Sequence, residues 1–293
     1  MTAIPAPAAG RAPRATSFRR RGNFLIGLAL IAALAAVALL SLVWTPLPPA
    51  KMQIAHKLQP PLAYGLLGTD AFGRDVLSQL MAGAWNSLSV AVTAVAIGGL
   101  AGTLLGVGAA ALRGLFETLA MRTCDVVFAF PPILSAMVLG AFLGPGRFTA
   151  IVAIAVFMVP VFARVALGSA KQAWSRDYVL AARAIGNTRL TITTRHVLPN
   201  ILSPIVVQAT IQLGLAILTE AGLSFLGLGV PPPAPSWGRM LADAQTYLAL
   251  APWLAILPGL AVAVAVLGFN LIGDGLRDLL DPRDGGIGRK RTR

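Results

Sequence analysis

YVLAARAIGNTRLTITTRHVLP, residues 178–199, is a basic segment of helical pattern held between two long apolar runs, 148–167 and 201–226. Asp177, or Ser175 before it, can cap a short helix in which Tyr178, Ala181, Ala182 and Ile185 follow the i, i+3, i+4, i+7 spacing of one face. That face is small and flat. Gly186 supplies a left-handed residue to end this helix and Thr188 caps a second one, striped by Leu190, Thr194, Val197 and Leu198 until Pro199 stops it. The pattern reads as helix, tight turn, and helix leading back into an apolar run. A unit this compact between two spans calls for something to dock against.

Composition sets the class: 56% of residues are hydrophobic and only 12% charged, far from an ordinary soluble domain. A bilayer core needs about 20 apolar residues per spanning helix. Six stretches meet that need, at 24–44, 88–112, 124–143, 148–167, 201–226 and 254–272. They are too long and too continuously apolar for the short alternating strands of a β-barrel. Pro131 with Pro132, Pro160 and Pro204 fall inside the third, fourth and fifth, where neighbouring helices can satisfy the freed carbonyls, so kinks around a path are expected.

Lys and Arg resist translocation when they flank a span. With the amino terminus inside, the six-span arrangement leaves only Lys51, Lys57, Arg74, Arg147 and Arg239 outside, of 24 basic residues. Both termini are then cytoplasmic. The net charge of +13 follows from these boundary residues and from contact with anionic lipid. No groove-reading or aromatic nucleic-acid motif accompanies it, so nucleic acid is not an expected partner. The run after Arg19, Arg20 and Arg21 exceeds a signal-peptide core and lacks a small-x-small exit before Trp44, so it reads as a retained first helix. Cys124 reads as a small core residue, and His56 and His196 are too isolated for zinc or catalysis; no metal site is expected.

The segment resembles the coupling segment of bacterial ABC importer permeases, whose pattern is Glu-Ala-Ala, three residues, Gly, and later Leu-Pro; Ala181, Ala182, Gly186, Leu198 and Pro199 match it. Further blocks resemble the C-type permease of the dipeptide, oligopeptide and nickel branch. They are LGTDAFGRDVLS at 67–78, MRTCDVVFAFPP at 121–132, EAGLSFLGLG at 220–229, PAPSWG at 233–238 and FNLIGDGLRDLLDPR at 269–283. The resemblance implies a type I ABC importer permease fold in the bacterial cytoplasmic (inner) membrane, with the first short helix seated in a groove of a separate ATPase. Tyr178, Ala181, Ala182, Ile185 and Gly186 would form the ATPase-coupling face. The family's leading Glu is Leu180 here, which puts that one contact in question. The chain has no GxxxxGK[ST] loop, so it is not itself an enzyme and binds no cofactor; ATP and magnesium would belong to partner ATPase subunits. The implied partners are a second homologous permease forming a heterodimer, two ATP-binding subunits, an external solute-binding protein and membrane lipids. On this reading, Gly186 replaced by a bulky β-branched residue, or Ala182→Arg, uncouples ATP hydrolysis from transport with the protein still inserted.

Acids inside spans are costly unless paired or facing water. Asp125 has Arg122 at i−3 for a local ion pair, whereas Glu220 has no cation at helical spacing and is a candidate for the translocation path or a subunit interface. Gly98, Gly102 and Gly106 recur every fourth residue, a pattern for close helix packing on this chain or on a second permease. In GTDAFGRD, residues 68–75, Asp75 caps a short outer helix from Val76 to Met81 rather than holding a metal. Pro231 to Pro235 followed by Trp237 suggests a rigid external loop and an interfacial aromatic anchor.

These readings give an all-α membrane protein, a polytopic bundle of six transmembrane helices with a cytoplasmic coupling helix. Residues 1–23 form a disordered basic tail, 24–44 the first helix, 45–87 an outer loop with a short helix, 88–276 a five-helix core including the coupling segment 171–199, and 277–293 a basic tail. The expected function is that of a permease subunit of an ATP-driven importer of peptides or related small solutes. The alternative is an ion-gradient-driven transporter or channel-like protein, which would more usually show charged relays and internal repeats.

Overall fold

The computed structural model describes residues 15–280, with side-chain surroundings from residue 22 onward. In chain order its helices are α1 (Ala15–Leu40), α2 (Val76–Leu112), α3 (Gly114–Ala129), α4 (Pro132–Leu143), α5 (Arg147–Trp174), α6 (Asp177–Ala184), α7 (Arg189–Ile192), α8 (Leu198–Phe225), α9 (Trp237–Ala244) and α10 (Trp253–Leu280). Apart from one isolated bridge between Thr69 and Asp75, no β-structure occurs among the described residues. Residues 15–23, expected in a disordered tail, belong to α1. The rest of that tail, and 281–293 with the basic cluster Arg289, Lys290, Arg291 and Arg293, lie outside the described residues.

α1, α2, α5, α10 and the run from α7 through α8 each have the length and hydropathy of a membrane span. The third expected span is different. α3 and α4 are bent by 87° at their junction, a break rather than a kink. The tandem prolines explain it: Pro131 holds Phe130 extended at φ −93°, ψ 132°, and is itself extended at φ −60°, ψ 130°, before Pro132 opens α4. At about 1.5 Å per residue neither piece alone covers the roughly 30 Å of hydrocarbon.

Two other proline and cap expectations need correction. Asp75 does cap a helix, its Oδ2 accepting from Ser78 N at 2.8 Å and from Ser78 Oγ at 2.6 Å. That helix does not end at Met81 but runs unbroken as α2 to Leu112, because nothing in 76–112 removes a backbone donor. Pro199 does not stop the second short helix. The chain widens into a π turn at Thr193–Val197 and continues into α8 with Pro199 in its first turn, where a missing N–H costs least. Asn200 Nδ2 donates to the His196 carbonyl at 2.6 Å across the same turn.

The core is the seam between α2 and α5. A Cβ on Gly98, Gly102 or Gly106 would come within 2.5 Å, 2.3 Å and 2.2 Å of the carbonyl oxygens of Ala155, Val159 and Ala163. Both helices thus advance four residues per contact and touch backbone to backbone. α8 and α10 pack around this pair. α1 lies at the edge along α10, with Gly27 against Gly268 and Phe24 against Gly275. On the side where α2 begins, α9 closes the bundle: Gly238 sits on the Ala221 backbone, and Trp237 is buried, donating through Nε1 to Leu80 O at 3.2 Å. Trp237 is therefore an internal wedge rather than an interfacial anchor.

Candidate functional site

The compact unit expected between the spans forms at the end of α5. Arg176 stands at the N-cap of α6 without a side-chain hydrogen bond, so neither Ser175 nor Asp177 caps it. Its other end closes with two bonds, Gly186 N to Arg183 O at 2.9 Å and Asn187 N to Ala182 O at 3.1 Å. With Gly186 at φ +86°, this is the left-handed C-terminal motif that glycine favours. Thr188 then caps α7, its Oγ1 accepting from Thr191 N at 3.2 Å.

What faces inward differs from the expected face. Val179 and Ala182 are buried, together with Ile192 and Val197 from the following helical run, against Val107 and Ala110 of α2 and Ala166, Ala170 and Ala173 of α5. Tyr178, Ala181 and Ile185 stay exposed, Ile185 at 81%. The four residues placed on one face by spacing are therefore split, Ala182 turning toward the bundle and the other three toward solvent. Leu190, expected in the stripe of the second helix, is also exposed, and Ile192 takes its place. Val179, which the spacing argument passed over, lies three residues before Ala182 and is the signal for the true inner face.

The unit is pinned to the bundle on several sides. The Arg183 guanidinium lies 5.0 Å from the centre of the buried Trp174 ring, and Arg189 donates to Ala111 O at 3.2 Å at the end of α2. Tyr178 tilts against the half-buried His196 at 6.3 Å. A Cβ at Gly186 would meet nothing within 4 Å, so the glycine is needed for its backbone conformation and not for room. The result is a tethered helix presenting exposed Tyr178, Leu180, Ala181 and Ile185. Apolar surface exposed on a tethered, non-spanning helix is the kind that marks a docking site.

The other singled-out residues have structural partners within the chain. Gly98, Gly102 and Gly106 face α5, not a free surface. Glu220 is fully buried where α8 meets α2 and α9; its Oε1 accepts from Ser224 Oγ at 2.6 Å, and Ser87 of α2 stands beside the carboxylate while receiving Trp237 N at 3.3 Å. Asp125 pairs chiefly with Arg164 of α5, at 2.7 Å, and only distantly with Arg122, at 4.0 Å. A second pair, Glu117 with Lys171, also ties α3 to α5. In the loop before α2 Asp70 pairs with Arg74 at 2.6 Å, and Asp243 of α9 receives Arg239 at 3.0 Å and Arg74 at 3.7 Å.

This arrangement is shared. The family of binding-protein-dependent transport system inner membrane components matches residues 102–284. A Brucella suis biovar 1 protein named for peptide transport is 41% identical over 285 residues, covering 96% of each chain. The dipeptide transport system permease protein DppC of Alkalihalophilus pseudofirmus is 40% identical over 88% of this chain and 85% of its own. The glutathione transport system permease protein GsiD of Escherichia coli O1:K1 is 47% identical over 74% and 71%. Two crystal forms of the MetNI methionine ABC transporter, both inward facing, superimpose with TM-scores of 0.57 and 0.58 at 20% and 19% identity, each covering 69% of this chain and 96% of that one; they share its fold. A bundle built on an α2–α5 seam, carrying a pinned helix between two spans, together with these matches, makes the chain a member of the binding-protein-dependent transport family and a multi-pass inner-membrane permease component.

Proposed function

We propose that the chain is one of two membrane subunits of an ATP-driven importer that moves short peptides, or small solutes built like them, into the cell. The observation that carries this is the pinned α6 unit: buried Val179 and Ala182 fix its base, leaving Tyr178, Ala181 and Ile185 exposed. A helix held this rigidly transmits a push on its outer face to α5 and α8, which it joins. ATP and magnesium sit in two separate ATPase subunits, one of which receives this face. A second, homologous permease completes the path as a heterodimer, and an external binding protein delivers the solute. Both termini are cytoplasmic, the side to which the basic residues flanking the spans assign them. Membership of a binding-protein-dependent family replaces the ion-gradient alternative.

The names of the relatives, for peptide, dipeptide and glutathione transport, support a peptide-like solute. The test is to express the chain with its second permease and ATPases, recover it by a tag, and assay ATP hydrolysis on addition of binding protein. Copurified ATPase whose activity rises with binding protein, and falls with Ala181→Arg, is the expected result. A folded chain that recruits no ATPase would overturn the proposal.

A further inference from the structure

A cavity of about 200 Å³ opens where α5, α8 and the α3–α4 bend meet, walled by Phe128, Phe157, Met158 and Leu215. Two polar side chains reach it. Thr219 spends its hydroxyl on Leu215 O at 2.8 Å. Gln212 is 5% exposed and its Oε1 has no hydrogen-bond partner among the described residues. It lies midway along α8, about 20 Å from either end at 1.5 Å per residue, and so near the middle of the bilayer.

An unpaired amide oxygen at that depth is costly, and its chemistry, an acceptor wanting a donor, selects the occupant. An acyl chain offers no hydrogen bond. A neighbouring transmembrane helix has already bonded its own amides. An extended peptide carries free N–H groups, one of which would donate to the unpaired Gln212 Oε1. The cavity is below the roughly 300–1,000 Å³ of a complete small-molecule site, so it holds one side chain and not a whole solute. At its rim, Phe128 carries the Arg164 guanidinium 4.5 Å from its ring centre, and Arg164 pairs with Asp125.

We propose that this cavity is a subsite on the translocation path, receiving an apolar or aromatic side chain of a short peptide while Gln212 hydrogen-bonds its backbone. The inference rests on the peptide-importer reading. The test uses the reconstituted complex with both permeases, ATPases and binding protein, and first asks for binding-protein-stimulated ATPase activity in the wild type. Its absence would remove the importer reading and the subsite with it. Given that activity, a dipeptide of alanine and benzoylphenylalanine is photolysed during turnover and the labelled residues are mapped. Expected is labelling at Phe157, Met158 or Leu215, competed by alanyl-phenylalanine and about tenfold weaker in Gln212→Leu, the loss of one buried hydrogen bond. Phe157→Trp, which fills the cavity and leaves Gln212 in place, should lower labelling as well. Labelling elsewhere, or unchanged in both variants, would overturn the subsite. So would labelling of these residues by a photoactivatable phospholipid in place of the dipeptide, or a disulfide from Leu215→Cys to the second permease.

Discussion

The α2–α5 seam and the α6 unit both depend on glycine and alanine, and they use them for different purposes. At Gly102 a Cβ would stand 2.3 Å from Val159 O and 2.8 Å from Phe162 Cβ, so the hydrogen side chain is demanded by space. At Gly186 nothing lies within 4 Å and φ is +86°, so it is demanded by backbone conformation. The seam hides its small residues against another helix. Of the alanines of α6 only Ala182 turns inward, beside Val179, while Ala181 and Ala184 are exposed. Small residues in the seam make a fixed joint, whereas in α6 the exposed Ala181 belongs to the face proposed to meet an ATPase.

The comparison breaks first at the seam if it is wrong. Gly102→Leu should cost at least about 3 kcal/mol, since neither backbone can retreat, and should abolish the monodisperse peak in detergent; Gly108→Ala, whose Cβ would meet only Phe116 at 3.7 Å, should leave it intact. Next comes the pair Ala182→Arg and Ala181→Arg. The first buries a guanidinium among Val107, Ala170 and Val197 and should lower the thermal transition by the equivalent of about 2–4 kcal/mol. The second should melt like wild type and lose ATPase recruitment. Equal melting of the two would erase the inward and outward distinction. Gly186→Val should cost about 1–2 kcal/mol, the price of a left-handed β-branched residue, seen as faster proteolysis of 178–199 with the spans still protected. Smallest is Asp125→Asn, which breaks a half-exposed pair with Arg164 and should change stability by less than about 1 kcal/mol.

Much of this was legible from residue order. The apolar runs, the Asp75 and Thr188 caps and the turn at Gly186 each rest on local chemistry that the sequence displays. The α3–α4 break was half legible: Pro131 and Pro132 announce a disturbance, but whether a helix kinks or folds back depends on what packs beside it. Helical spacing put Tyr178, Ala181, Ala182 and Ile185 on one face, but it could not say where the boundary between bundle and solvent would fall, and that boundary separates Ala182 from the other three. Val179 and Ala182 decide the rotation, buried with Val107 and Ala110 of α2, which are distant in the chain. Asp125 looked local because Arg122 was near in sequence; Arg164, 39 residues away, proved closer in space. Gln212 carried no signal at all, since an unpaired amide shows only once its surroundings are known.

On the proposed reading α6 meets an ATPase through Ala181 and rests on its own bundle through Ala182. Cysteine cross-linking to the copurified ATPase, from Ala181→Cys and Ala182→Cys in a Cys124→Ala background, tests it most directly. Conjugation is expected from position 181 and none from 182; conjugation from 182 with 181 silent would overturn this assignment of the two faces.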